Sequence, residues 1–193
     1  VTQGDLSFEV TPIEGDTDAE SFYAYRTDQH YSSNTGLEVS EPAVISVYRD
    51  PEGVTSLLMQ HDAIYDGSGG RATWQIDGLD GATLVAKDDP NDAYNLDVGG
   101  FTWQWNSCCT DGGAFEDIGD DACLTFNPLD LQNVDTVGVY SDDAAAGLQA
   151  LPDPMAPFTI CAVNCCLVSE PEADGHQLVT GLQAMSLSPV TDV

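Results

Sequence analysis

The chain has 193 residues, of which 33 are Asp or Glu and only 4 are Lys or Arg, for a formal net charge of −29. Its cations (Arg26, Arg49, Arg71 and Lys87) cannot neutralise a phosphate backbone that the carboxylates repel. Nucleic acid is therefore excluded as a partner, and anionic membrane surfaces are disfavoured. A hydrophobic content of 42%, with three Trp, seven Tyr and six Phe, also excludes a disordered acidic tail.

In chain order, strand-like segments are expected at residues 6–10, 22–26, 44–49, 55–60, 72–76, 83–86, 101–105, 124–126, 136–140, 158–163 and 178–187. Most alternate polar with apolar side chains, as in Thr73-Trp74-Gln75-Ile76 and Phe101-Thr102-Trp103-Gln104-Trp105. A period of two places one face on a core and the other in solvent, and the intervals are rich in Gly, Pro, Asp and Asn. About ten strands over residues 1–193 predict one all-β domain, a β-sandwich or jelly roll.

Helical signal is confined to residues 142–151, where an Ala run follows Asp142 and Asp143 and Pro152, Pro154 and Pro157 would stop a helix. Residues 15–20, 28–41 and 170–176 are polar and aperiodic and read as surface loops. No apolar stretch approaches the ~20 residues of a membrane-spanning helix. The start at Val1 reads as a mature chain after removal of a signal segment.

Six cysteines, Cys108, Cys109, Cys123, Cys161, Cys165 and Cys166, form an even set, as expected of a disulfide framework in an oxidising, extracellular compartment. Zinc is the rival reading, but no Cys-x2-Cys knuckle and no neighbouring His at ligand spacing occurs. Adjacent cysteines do not readily bond each other, so Cys108 and Cys109 are expected to reach Cys165 and Cys166, or Cys123.

Acidic turns recur at 61–70, 88–92 and 111–113. Such loops offer the oxygen ligands that calcium takes, and Asp62, Asp66, Asp88, Asp89 and Asp92 are the candidates. Asp-Gly and Asp-Pro are also ordinary turn formers, and no segment fits an EF-hand loop. Trp103 and Trp105 must share one strand face, which makes either a sugar-stacking platform or core; paired large aromatics favour core, with Trp74 joining them.

Catalytic signatures are missing from the sequence. It has neither a G-x-S-x-G elbow nor an H-E-x-x-H helix, and its three histidines, His30, His61 and His176, form no recognisable set. Two carboxylates suffice for glycoside hydrolysis, but nothing nominates a pair among 33. His61 beside Asp62 reads as a hydrogen-bonded turn residue.

Residues 61–119 carry H-D-A-I-Y-D-G-S-G-G, I-D-G-L, K-D-D-P-N-D and W-Q-W-N-S-C-C-T-D-G-G. This run resembles a segment of exported bacterial and archaeal cell-surface proteins of unassigned activity. The resemblance implies an extracellular β-rich module and assigns no catalytic residue.

The function expected from these features is an extracellular structural subunit of a filament, sheath or surface layer that associates with itself. Residues 1–12, with Leu6, Phe8 and Val10 on one face, would add as a strand to a neighbouring sheet, and residues 178–187 are the other choice. The alternative is a calcium-dependent carbohydrate-binding or adhesin module with a glycan partner.

The charge predicts a halophilic or calcium-rich setting. Unfolding in dilute buffer should be reversed by molar salt, where the screening length falls to about 3 Å. Circular dichroism across a salt series checks this; equal stability throughout would show that repulsion is already relieved within the fold.

Overall fold

A computed structural model describes residues 1–25, 32–89, 92–143 and 145–162. Alternation governs its architecture. In β6 (Gly70–Asp77) Ala72, Trp74 and Ile76 are buried, and in β9 (Gly100–Trp105) so are Phe101, Trp103 and Trp105, while the residues between them face outward. Burying one face of each such strand requires a second layer, and the chain supplies two sheets of seven strands.

The first sheet runs β2 (Leu6–Ser7), β1 (Thr2–Gln3), β14 (Phe158–Cys161), β11 (Cys123–Gln132), β6, β9 and β8 (Ala93–Asn95). The second runs β13 (Gly147–Ala150), β12 (Thr136–Ser141), β4 (Pro42–Arg49), β5 (Thr55–His61), β10 (Asp111–Glu116) and β7 (Thr83–Lys87), with β3 (Ile13–Glu14) also on β4. Most pairings are antiparallel, but β12 and β3 both run parallel to β4. The all-β sandwich expected from the sequence is therefore what forms, with fourteen strands among the described residues.

The main core lies between the sheets. Trp74, Phe101, Trp103, Phe126 and Phe158 from one meet Ile45, Leu57, Met59, Phe115, Val137 and Val139 from the other. Phe126 and Phe158 stack with ring centroids 4.7 Å apart. The 3-10 turn Leu96–Val98 feeds β9 through Gly99, whose φ is +65° and whose absent Cβ would lie 2.1 Å from the Ile76 carbonyl oxygen. Only glycine fits there.

Strand β5 is buried along its whole length. Leu57, Met59 and His61 face the first sheet, whereas Leu58 packs with Ala19, Tyr23, Tyr48, Ala86 and Ala114 under the short helix α1 (Ala19–Tyr23). The sequence expectation of a strand at 22–26 is corrected here. Asp18 caps α1 by accepting the Ser21 N–H at 2.6 Å, and Ala19, Phe22 and Tyr23 follow the helical spacing of three and four. The aromatic alternation beginning at Phe22 mimicked a strand.

The helix expected at 142–151 is likewise corrected. Gly147, at φ +54°, turns the chain back so that β13 pairs antiparallel with β12. The need of β12 for a partner outweighs the helix propensity of the alanines. Of the strand expected at 6–10 only Leu6–Ser7 forms, as β2, while Thr2–Gln3 adds β1 before it. Conversely, Asp111-Gly112-Gly113, read as an acidic turn, opens β10, a strand between β5 and β7 in the second sheet. Residues 178–187 lie outside the described residues.

Disulfides join Cys108 to Cys109 and Cys123 to Cys161. The first overturns the expectation that adjacent cysteines reach elsewhere. They sit in the turn between β9 and β10, where the Cys109 N–H returns to the Asn106 carbonyl at 3.0 Å. The second follows from register, because Cys123 and Cys161 are directly opposed on β11 and β14. Cys165 and Cys166 lie outside the described residues.

Core truncation tests this packing. Phe126→Ala, at a fully buried site, should cost about 3–5 kcal/mol in chemical denaturation. Leu129→Ala, on the exposed side of the same strand, should change stability by less than about 0.5 kcal/mol.

Candidate functional site

The ends of β5 and β9 and the start of β10 meet at one end of the sandwich, and the chemistry-bearing side chains gather there. His61 ends β5 with its ring among three indoles, 5.0 Å from Trp103, 5.3 Å from Trp105 and 6.3 Å from Trp74 between centroids. Its Nδ1 lies 3.1 Å from the Asp111 carbonyl and its Nε2 accepts the Trp74 indole N–H at 3.2 Å. These partners set the neutral tautomer with the proton on Nδ1. Complete burial pushes His61 down to about 4. With both nitrogens engaged and no solvent access, His61 organises the core.

The other indoles are anchored too. Trp103 donates to the Tyr94 hydroxyl at 2.8 Å, which donates to the Gly112 carbonyl at 2.8 Å. Trp105 donates to Asp62 Oδ2 at 2.6 Å. All three tryptophans are buried, so the core reading of the Trp pair holds and none of them offers a sugar-stacking surface.

The five aspartates nominated as cation ligands fall into two groups. Asp62 and Asp66 form one, joined by a hydrogen bond between their carboxyls. Asp62 Oδ1 also accepts the Ala63 N–H at 2.9 Å and the Glu41 N–H at 3.3 Å. Asp66 accepts the Ser68 N–H at 2.9 Å and the Ser68 and Ser40 hydroxyls at 2.7 and 2.8 Å. Burial raises Asp62; Asp66, on which slight burial acts the same way, is nevertheless held at about 2 by its hydrogen bonds. Donors from the protein thus fill this group, which staples the turn after β5.

Asp88, Asp89 and Asp92 form the second group, and with them comes a residue that the sequence reading passed over, Asp111. Asp111 is buried at the start of β10, accepting the Gln104 N–H at 2.6 Å and the Gly112 N–H at 2.8 Å. It also hydrogen-bonds to the Asp92 carboxyl, a contact that two carboxylates make only when one carries a proton. Burial, reinforced by the charges of Asp92 and Asp88, pushes Asp111 up to about 10. Asp88 is pushed to about 8, mainly by burial, against the hydrogen bond it accepts from Tyr23 at 3.0 Å. Asp89 accepts from the Tyr25 hydroxyl at 3.4 Å, and its own N–H donates to Asp92 at 3.1 Å.

Among the described residues no three His, Cys, Asp or Glu side chains are arranged to hold a metal ion. A surface hollow beside the site, lined by Gly69, Gly70, Arg71, Gln104, Trp105, Gln132 and Asn133, contains neither a carboxylate nor a nucleophile. No helix among the described residues is long and apolar enough to cross a membrane. The disulfides among the described residues are consistent with an oxidising environment.

The sign of the Asp111 shift fixes a pH dependence. Its folded value, about 10, lies above the ordinary 3.8, so the folded chain keeps a proton that the unfolded chain has released. This contribution is complete below the ordinary value and drains away as pH rises toward the folded value. Asp111→Asn should therefore flatten the fall in stability between about pH 5 and about pH 9, measured by denaturant titration in molar salt to screen the remaining charge. An unchanged slope would show that the proton is held elsewhere.

Compared with known protein families, curated proteins and solved structures, the chain matches none.

Proposed function

We propose that the chain is an extracellular structural subunit that joins copies of itself by exchanging its N-terminal hairpin, and that it is not a catalyst. One observation carries this reading: the hairpin is fastened to its sheet by very little backbone, yet its side chains complete the core. Only Thr2 and Thr159 are paired between β1 and β14, supported by a bond between their hydroxyls. Gln3 adds side-chain bonds to the carbonyls of Asp153 and Ala156 at 2.8 and 2.9 Å. Val1, Phe8 and Val10 pack against the core, while Leu6 faces out at 37% exposure. Two of the three nominated assembly residues thus point into the sandwich, and the third lies on the outermost strand.

Past the hairpin, Val10-Thr11-Pro12 crosses to the second sheet, where β3 lies beside β4. Thr11 anchors this connection to the end of β12, its N–H donating to the Ser141 hydroxyl at 2.9 Å and its carbonyl accepting the Asp142 N–H at 3.0 Å, which leaves Glu9 and Val10 to serve as the hinge. A hairpin that swings out and docks on the neighbouring copy keeps every contact it makes at home, so association needs no new surface. The internal engagement of His61, Asp62 and Asp66 supports the non-catalytic part of the reading, since these groups are committed to backbone and indole donors.

Locking the hairpin tests the exchange. Thr2→Cys with Thr159→Cys places two thiols at directly opposed positions, and their disulfide would tie each hairpin to its own sheet. Light scattering and negative-stain microscopy should show polymers for the native chain and monomers for the oxidised double variant. Polymers formed equally well by the locked chain would overturn hairpin exchange, and a native chain that stays monomeric while binding glycans would overturn the structural reading itself.

A further inference from the structure

Four buried side-chain atoms among the described residues lack a hydrogen-bond partner: Ser46 Oγ, Ser56 Oγ, Gln60 Oε1 and Asp88 Oδ1. The hydroxyls carry their own hydrogen and can turn it. The other two are acceptors, on residues each only 1% exposed, and leaving such atoms unsatisfied costs about 1–3 kcal/mol apiece.

The two acceptors share one row of one sheet. Gln60 is paired with Gly112 across β5 and β10. The pair Gly113 and Lys87 across β10 and β7 places Asp88 opposite Gly112 on the other side. Gln60 and Asp88 therefore flank a residue without a side chain, on the face that α1 covers, and the Tyr23 hydroxyl reaches over it to donate to Asp88 Oδ2. The Gln60 amide is oriented by Glu38, because its Nε2 donates to Glu38 Oε1 at 3.1 Å and to Ser33 Oγ at 3.3 Å, which turns Oε1 away from them. Glu38 is itself held by the N–H groups of Thr35 and Gly36 at 2.7 and 2.8 Å. The charges of Asp89, Asp92 and Glu38 all bear on Asp88.

We infer that Asp88 Oδ1 and Gln60 Oε1 are ligands of a hard divalent cation of the calcium class, held beneath the Tyr23 hydroxyl between β5 and β7. Oxygen donors alone, one carboxylate and one amide carbonyl, suit calcium and leave further positions for water. A cation bound there satisfies both orphaned acceptors at once. This inference is independent of hairpin exchange.

The test uses the full chain freed of metal with a chelator, in molar potassium chloride so that loose binding to surface carboxylates is screened. Calcium titrated by calorimetry should fill one tight site per chain, and terbium should show luminescence on excitation of tyrosine. Asp88→Asn should weaken calcium binding at least about tenfold, and Gln60→Glu, which adds a second carboxylate, should tighten it by about the same factor. The Asn variant is expected to fold, since it puts a neutral group of the same shape at the buried position, and far-ultraviolet circular dichroism of the metal-free protein checks that. Calcium bound equally by all three proteins would overturn the inference in favour of surface carboxylates, and no tight site in the native chain would overturn it in favour of a bound water or proton.

Discussion

Double-sided burial of β5 is the constraint on which the rest of the molecule depends. A strand with no exposed residue needs a layer on each side, and the two layers here differ in kind. The aromatic wall of the first sheet covers one side. Over the other lie α1 and the segment from Ser32 to Glu38, tied down through Ser33 to Thr110 and through Glu38 to Gln60. Polar side chains that β5 and its neighbours direct to that second side, Gln60 and Asp88 among them, are thus enclosed.

The aromatic side solves a different problem. Three indole N–H groups buried in one core each need an acceptor, and they find an imidazole nitrogen, a phenol oxygen and a carboxylate. Those acceptors come from β5, from β8 and from the turn after β5, so satisfying the indoles also fixes how the sheets and their connecting loops meet. His61 and Asp62 are structural for this reason, although side by side in a sequence they resemble a catalytic pair.

Much of the sheet was legible in the sequence because alternation is a local signal: β4, β5, β6, β9 and β12 fall where the apolar period predicts. Short elements were not, since α1 occupies five residues and its aromatic spacing fits strand and helix alike. The missed strand β10 contains Gly112 and Gly113, which lower strand propensity, and its place is fixed by partners on both sides that no local window contains. The candidate site was half legible. Asp88 and Asp92 stood out as acidic turn residues, whereas Asp111, Gln60, Glu38 and Tyr23 gain their meaning only from register, which brings together positions far apart in the chain, as in the bond from the Thr110 N–H to the Ser32 hydroxyl across 78 residues. The cysteine pairing failed for a related reason: the opposition of Cys123 and Cys161 is a property of the folded sheet.

The Cys108–Cys109 disulfide has a chemical corollary. It joins neighbours within one turn, whereas Cys123–Cys161 joins two strands. Reducing the first would leave two adjacent thiols that a single trivalent arsenical could bridge. Such a reagent would mark the turn between β9 and β10 without severing a covalent link between strands.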